Sequence, residues 1–242
     1  MINIVIPMAG QGSRFSNAGY KKPKPFIDVF GKTMIECVIE NLNCNNARFI
    51  LIGRKEHLEI EKKLISEIKK RHNAEFISIE KLTEGTASTV LYARKYINDE
   101  NPLLIANSDQ LVHIDIQEFI NDSLERSLDG SILTFKDKEL NPKWSYAKAD
   151  SNGNVTEVQE KIAISDNATV GIYYFAKGEF FVNSAIDMII HNDRVNNEFY
   201  TCPVYNYMIN ERLKVGLYQI KSTEMVGLGT PEDLELYIKN YI

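Results

Sequence analysis

Apolar positions along the chain fall into two alternating rhythms over its first half. Residues 2–8 form a short, nearly continuous apolar run bounded by Ala9-Gly10-Gln11-Gly12, the pattern of a buried strand ending in a turn. Met34, Ile35, Val38, Ile39 and Leu42 recur at i, i+3 and i+4, which predicts an amphipathic helix over 34–42. A second strand is predicted at 48–53, followed by a charged helix over 56–71 with Leu58, Ile60, Leu64, Ile65 and Ile68 turned inward. A third strand (75–79), a helix (86–96) and a fourth strand (102–106) complete this half, the last ending at Asn107-Ser108-Asp109. Strands alternating with helices imply a parallel sheet with right-handed crossovers.

The texture changes near residue 130. Segments 130–135, 145–150, 155–160 and 169–175 have β character, and Ser151-Asn152-Gly153-Asn154 is a hairpin-turn signal between two of them. Helices are predicted at 179–191 and 202–212, a strand at 215–220, and a closing helix at 232–241. Thr230 can cap that helix, with Pro231 at its first position and Glu232 and Asp233 in its first turn. No repeat or linker interrupts the chain. The expectation is therefore one α/β domain over 1–242: a Rossmann-like, mostly parallel central sheet flanked by helices, with a mixed β insertion in the second half.

The 242 residues, 44% of them hydrophobic, suffice for a substantial core without disulfide or metal staples. A formal net charge of -5 offers no basic footprint for a nucleic-acid backbone, so no nucleic-acid partner is expected. No apolar run approaches the roughly 20 residues that span a bilayer, so no membrane partner is expected. The start of the chain lacks the basic region of a signal peptide. Cys37, Cys44 and Cys202 are odd in number and fit no CxxC spacing, as expected of reduced thiols in a cytoplasmic protein. His57, His72, His113 and His191 are dispersed, against a zinc site.

Two short stretches carry chemistry. In Met8-Ala9-Gly10-Gln11-Gly12-Ser13-Arg14 the glycines permit positive φ and close approach, which turns successive amides toward an anion, and Arg14 adds a planar charge suited to phosphate oxygens. Phe15 stands where a dinucleotide fingerprint needs its third glycine, and the P-loop pattern is absent. In Pro23-Lys24-Pro25 a lysine is fixed on both sides by proline, which suits charge neutralisation at a set position.

Together, G-x-G-S-R and P-K-P resemble the signature of the sugar-phosphate nucleotidyltransferase superfamily. Further landmarks follow in the same order across essentially the whole chain. Glu84-Gly85-Thr86-Ala87 resembles the base-reading segment, and Asn107-Ser108-Asp109 the motif whose aspartate binds Mg²⁺. Glu160-Lys161 resembles the motif that meets the acceptor phosphate, 168–175 the strand containing Gly171 that follows it, and Gly229-Thr230-Pro231-Glu232-Asp233 the closing turn. The extended start is similar to that of short cytidylyltransferases encoded with capsule biosynthesis genes. One departure stands out: Gly227 occupies the position where the superfamily usually has a second metal-binding aspartate. Either phosphates and water complete the sphere around Asp109, or another acid such as Glu224 substitutes.

The resemblance implies a division of labour. Residues of about 1–130 would bind the nucleotide through Met8–Arg14, Lys24, Glu84, Gly85, Thr86, Asn107 and Ser108. Residues of about 131–242 would bind the acceptor through Trp144, Glu160, Lys161 and Gly171. Arg14, Lys24 and Asp109 are the catalytic candidates, with Asp109 the ligand of Mg²⁺ or Mn²⁺. The expected reaction joins a nucleoside triphosphate to a phosphorylated small metabolite, such as phosphoglutamine or a sugar or polyol phosphate, releasing pyrophosphate. A carboxylate at Glu84 facing the base would accept from the exocyclic amine of cytosine or adenine, favouring CTP, with ATP second. Uridylyl-, thymidylyl- or guanylyltransferase activity, a metal-dependent glycosyltransferase and a nucleotide-binding regulator remain alternatives, as do monomer and homodimer.

Overall fold

The computed structural model describes residues 1–240. Its centre is a nine-stranded sheet, with strands β1 (Ile2–Pro7), β2 (Ala47–Arg54), β3 (Ala74–Ile79), β4 (Leu103–Ala106), β5 (Gly130–Lys136), β6 (Ser145–Ala149), β7 (Val155–Glu160), β8 (Asn167–Phe175) and β9 (Val215–Ile220). The order β3-β2-β1-β4 is wholly parallel. Residues on both faces of β1 are buried: Ile4 and Ile6 pack into one core, Val5 into the other. A continuous apolar run is what a parallel strand covered on both sides requires. Helices Met34–Asn41, Lys62–Arg71, Ile116–Glu125 and Pro231–Asn240 contribute to the first core, through residues such as Val38, Ile68, Phe119 and Leu234. Helices Gly178–Ile190 and Val204–Asn210 contribute Phe181, Met188 and Tyr205 to the second.

The mixed half joins through β8, which runs antiparallel to β4 and to β5; β9 then lies parallel to β5. The register of β8 shifts between Thr169 and Tyr173. Beyond that shift its N-terminal part meets β6, through Ala168 and Tyr146, and β6 and β7 form an antiparallel pair. Gly171 sits at the shift with φ +90°, and a side chain there would come within 2.2 Å of Asn107 Nδ2. Its carbonyl accepts a hydrogen bond from Asn107 N (3.0 Å). The sheet therefore forks just beyond the end of β4, and the fork opens a cleft.

The α/β class, the parallel order and the mixed second half agree with the sequence pattern; several details differ. The helix predicted over 56–71 breaks at Glu61 into Lys55–Ile60 and Lys62–Arg71, and Ile60, expected to face inward, is 72% exposed. The helix predicted over 86–96 is three short pieces: Thr86–Val90, a 3-10 turn Leu91–Ala93, and Arg94–Ile97. Ile116–Glu125 was not anticipated, although Asp115 caps it by accepting from Gln117 N (2.8 Å). Pro203 holds the start of the 202–212 helix back to Val204. Thr230 Oγ1 caps the closing helix by accepting from Asp233 N (3.1 Å), and predicted helical position Tyr241 lies outside the described residues.

Candidate active site

At the end of β1 the Met8 amide still bonds to Ile52 O, and the chain then leaves the sheet. Gly12 adopts a left-handed conformation (φ 63°, ψ 26°) and starts the short helix Ser13–Asn17, which is anchored by buried Phe15. A Cβ at Gly12 would stand 3.3 Å from Lys24 Cβ, so this glycine serves both φ and close packing. Pro23 is extended (ψ 140°) and leads into the 3-10 turn Lys24–Phe26, whose Pro25 and Phe26 are buried. The Lys24 ammonium is thereby aimed across the cleft, where it pairs with the Asp109 carboxylate.

Asp109 follows β4. The next residues, Gln110–Val112, pair with Met225–Gly227, and the Asp109 carbonyl accepts from Leu228 N (2.7 Å). The 227–230 loop consequently runs alongside Asp109. The resulting cleft has a volume of about 740 Å³. Its walls include Met8, Gly10, Gly12, Ser13, Arg14, Lys24, Thr86, Asn107, Ser108 and Asp109 from the first half of the chain, and Trp144, Glu160, Lys161 and Gly171 from the second. Ala9, Gln11, Glu84 and Gly85 are not among its walls. Ala9 is buried and Gln11 exposed. Glu84 pairs with Arg194 (2.8 Å), with its side chain 65% exposed. The Gly85 backbone lies against that of Phe199, where a Cβ would approach within 2.4 Å of the Phe199 carbonyl oxygen.

The surroundings of Lys161 contain residues that sequence reasoning missed. Tyr200 accepts a hydrogen bond from Lys161 Nζ (2.7 Å), and Lys161 itself is held at φ 61° with its amide on Trp144 O. Burial pushes the Tyr200 hydroxyl up, with Glu198 adding to the effect. Glu160 is buried and accepts from Ser145 Oγ; burial raises its carboxyl above the usual range, while Ser145 and Lys161 pull in the opposite direction. Trp144 is half-buried, edge-on to Phe135, with Lys143 Nζ 4.5 Å above its ring. The segment carrying Tyr200 is tied to the 84–87 turn. Phe199 N donates to Glu84 O (2.7 Å), Ala87 N to Phe199 O (2.9 Å), and Thr201 N to Thr86 Oγ1 (3.0 Å). Spacing could not have shown these partners, because they are far apart in the chain.

The oxygen donors near Asp109 are hard ligands of the kind Mg²⁺ prefers. Among the described residues no group of three or more His, Cys, Asp or Glu could hold a metal. The site thus fits an ion that keeps several waters and takes the rest of its ligands from a phosphorylated substrate. Glu224, the named substitute for the missing aspartate, instead accepts from Lys221 N (2.8 Å) and is not a wall of the cleft. Asp233 is.

A family model described as nucleotidyl transferase matches residues 4–205 of the chain. The bifunctional protein GlmU of Methanocaldococcus jannaschii is 26% identical over 183 residues, covering 74% of this chain and 41% of that protein. The chain thus spans less than half the length of this curated relative. Among solved structures, a nucleoside-diphosphate-sugar pyrophosphorylase from Vibrio cholerae RC9 superposes with a TM-score of 0.83 at 24% identity, covering 98% of this chain and 99% of that one. The inositol-1-phosphate CTP transferase from T. maritima gives 0.75 at 14% identity, with 99% and 97% covered. At these identities the two structures establish a shared fold. No helix among the described residues is long and apolar enough to cross a membrane.

Proposed function

Because the chain belongs to the nucleotidyl transferase family, we propose that it transfers a nucleotidyl group from a nucleoside triphosphate to a phosphorylated small metabolite, releasing pyrophosphate. CTP is the proposed nucleotide. The proposed setting is the cytoplasmic assembly of capsule or other cell-surface polysaccharide, on the strength of the resemblance at the start of the chain. The observation that carries the reaction is the arrangement of one cleft. Gly12, Lys24 and Asp109 meet there, and Lys161, held by Tyr200, lines the same cleft.

An acceptor phosphate oxygen attacks the α-phosphorus in line; the new P–O bond forms as the bond to the β-phosphate oxygen breaks, and pyrophosphate departs. The attacking phosphate is already ionised near neutral pH, so no general base is needed. The protein contributes position and charge. Backbone amides of the Gly10–Ser13 turn and the Arg14 guanidinium hold the outer phosphates. Lys24 exchanges Asp109 for the α-phosphate and neutralises charge that grows in the transition state. Lys161, set by Tyr200, receives the acceptor phosphate. Mg²⁺ or Mn²⁺, when held by Asp109, supplies further neutralisation of the phosphate oxygens.

The test is a pyrophosphate-release screen of CTP, UTP, ATP and GTP against sugar phosphates, polyol phosphates and phosphorylated amino-acid derivatives. Pyrophosphate formed with CTP and one acceptor class is the expected result. Release of a nucleoside diphosphate from a nucleotide sugar would favour a glycosyltransferase. Binding of nucleotide with no turnover on any acceptor would favour a regulator.

A further inference from the structure

Gly227 removes a side chain from the loop beside Asp109, yet the space it leaves is not far from an acid. A Cβ built on Gly227 would lie 3.9 Å from Asp233 Oδ2 and meet nothing else within 4 Å. A Cβ built on Gly229 would lie 3.2 Å from Asp109 Oδ2 and 3.9 Å from the same Asp233 oxygen. The two carboxylates therefore flank one small cradle kept open by two glycines, and both are walls of the cleft. A positive charge already stands at this point, in the Lys24 ammonium on Asp109.

We propose that Asp233 is the second carboxylate of the metal site, reaching from the closing helix into the space that a side chain at Gly227 would occupy. This rests on the nucleotidyl transfer reading of the cleft. Asp233 sits in the first turn of the ten-residue helix Pro231–Asn240, whose Thr230 cap binds the Asp233 amide and so fixes its backbone. Among the described residues its carboxylate has no hydrogen-bond or ion-pair partner, unlike that of Glu224, which is occupied at Lys221 N. Favourable interaction with the helix dipole would explain an acid in this turn equally well. It would apply just as much to Glu232, which is exposed and is not a wall of the cleft. The comparison of these two neighbours decides the matter.

The experiment is a titration of the protein with Mn²⁺, following free Mn²⁺ by electron paramagnetic resonance, for the wild type and for Asp109→Asn, Asp233→Asn, Glu232→Gln and the double variant Gly227→Asp/Asp233→Asn. Asp233→Asn is expected to weaken Mn²⁺ binding by about 10-fold or more, the scale seen even when a group behind a metal ligand is lost. Glu232→Gln should bind as the wild type does. The double variant should regain affinity, because position 227 has open space and an ordinary backbone. Wild-type affinity in Asp233→Asn alongside a loss in Asp109→Asn would overturn the assignment and leave the transfer reading intact. Equal losses in Asp233→Asn and Glu232→Gln, or no recovery in the double variant, would overturn it in favour of a helix-end charge effect. Unchanged binding in both Asp109→Asn and Asp233→Asn would remove the metal from this cleft altogether, a failure separable from pyrophosphate release. Unchanged melting temperatures in Asp233→Asn and Glu232→Gln, expected for exposed side chains, establish that these variants are folded.

Discussion

Two parts of the cleft are constructed by different means. In the part proposed to bind nucleotide, position is set by backbone: Gly12 in a left-handed conformation, Lys24 between two prolines, and Asp109 on the turn that leaves β4. Each stretch is short and contiguous. In the part proposed to bind the acceptor, position is set by side chains holding one another: Lys161 by Tyr200, Glu160 by Ser145, and Trp144 against Phe135. These residues come from the ends of β5, β6 and β7 and from the 198–201 segment. A triphosphate presents the same oxygens whatever the base, so main-chain geometry can meet it. An acceptor varies in shape, and an assembly of side chains can be altered without disturbing the sheet.

The largest expected effect lies in the backbone-built part. Lys24→Ala and Asp109→Asn should each lower kcat by about 10²-fold or more, on the scale of removing a group aimed at transition-state charge. Steady-state pyrophosphate release measures this. An unchanged kcat in Lys24→Ala would reduce that lysine to a counter-ion of Asp109, and the contrast between the two parts would lose its catalytic half.

In the side-chain-built part, Tyr200→Phe removes one hydrogen bond to a charged ammonium. Such a bond is worth about 1.5–3 kcal/mol, or roughly 10- to 150-fold if expressed in full. The expected outcome is an acceptor KM raised by about 10-fold, with nucleotide KM and thermal stability little changed. Lys161→Ala should show the same KM-selective defect, and adding Tyr200→Phe to it should do little more, because the shared interaction is already gone. A parallel rise in nucleotide KM would mean that the ties from Phe199 and Thr201 to the 84–87 turn transmit changes from one part to the other.

This division also explains how much could be read from the chain. The alternation of strands and helices, the Gly12 turn, the fixed Lys24 and the strand-end Asp109 are local patterns, and the structure brings these residues to one cleft. Gly171 carried a family landmark, but its reason, close approach to Asn107 at a shift in strand register, needs two strands at once. Tyr200 is separated from Lys161 by 39 positions and Asp233 from Asp109 by still more, so no periodicity links them. Ile116–Glu125 has a caps-and-stripe pattern that could have been found from Asp115, Ile116, Phe119 and Ile120. Glu84 shows the converse: a suitable residue beside the right motif, engaged elsewhere by Arg194.

Glu84→Gln should accordingly have a modest effect. An exposed ion pair is worth about 0–1 kcal/mol, so the ratio of kcat/KM for CTP over UTP is expected to change less than the roughly 5-fold or more that follows loss of a direct base contact. A collapse of the preference in this variant would mean that Glu84 leaves Arg194 when nucleotide binds, and that one side chain reads the base after all.

The smallest effect should appear in stability. Burial raises the Glu160 carboxyl above its ordinary value of 4.5, with the Ser145 hydroxyl and the Lys161 charge only partly offsetting it. The folded chain then holds this proton to higher pH than the unfolded chain does. Between the ordinary and the raised value the native state binds more protons, so this group's contribution is fully present at low pH and is lost as pH rises through the raised value. Glu160→Gln retains an oxygen to accept from Ser145 but never acquires the charge. It should therefore match the wild type near pH 4 and melt higher at pH 8, where about 1 kcal/mol corresponds to roughly 2–4 °C in a chain of this size. The same variant should lose acceptor turnover, since Glu160 is a wall of the cleft beside Lys161. A melting temperature that rises while activity falls would mark the proposed acceptor part as the place where stability is given up for chemistry. A variant less stable than the wild type at pH 8 would show that the ionised Glu160 is held by Ser145 and Lys161 strongly enough to outweigh its burial.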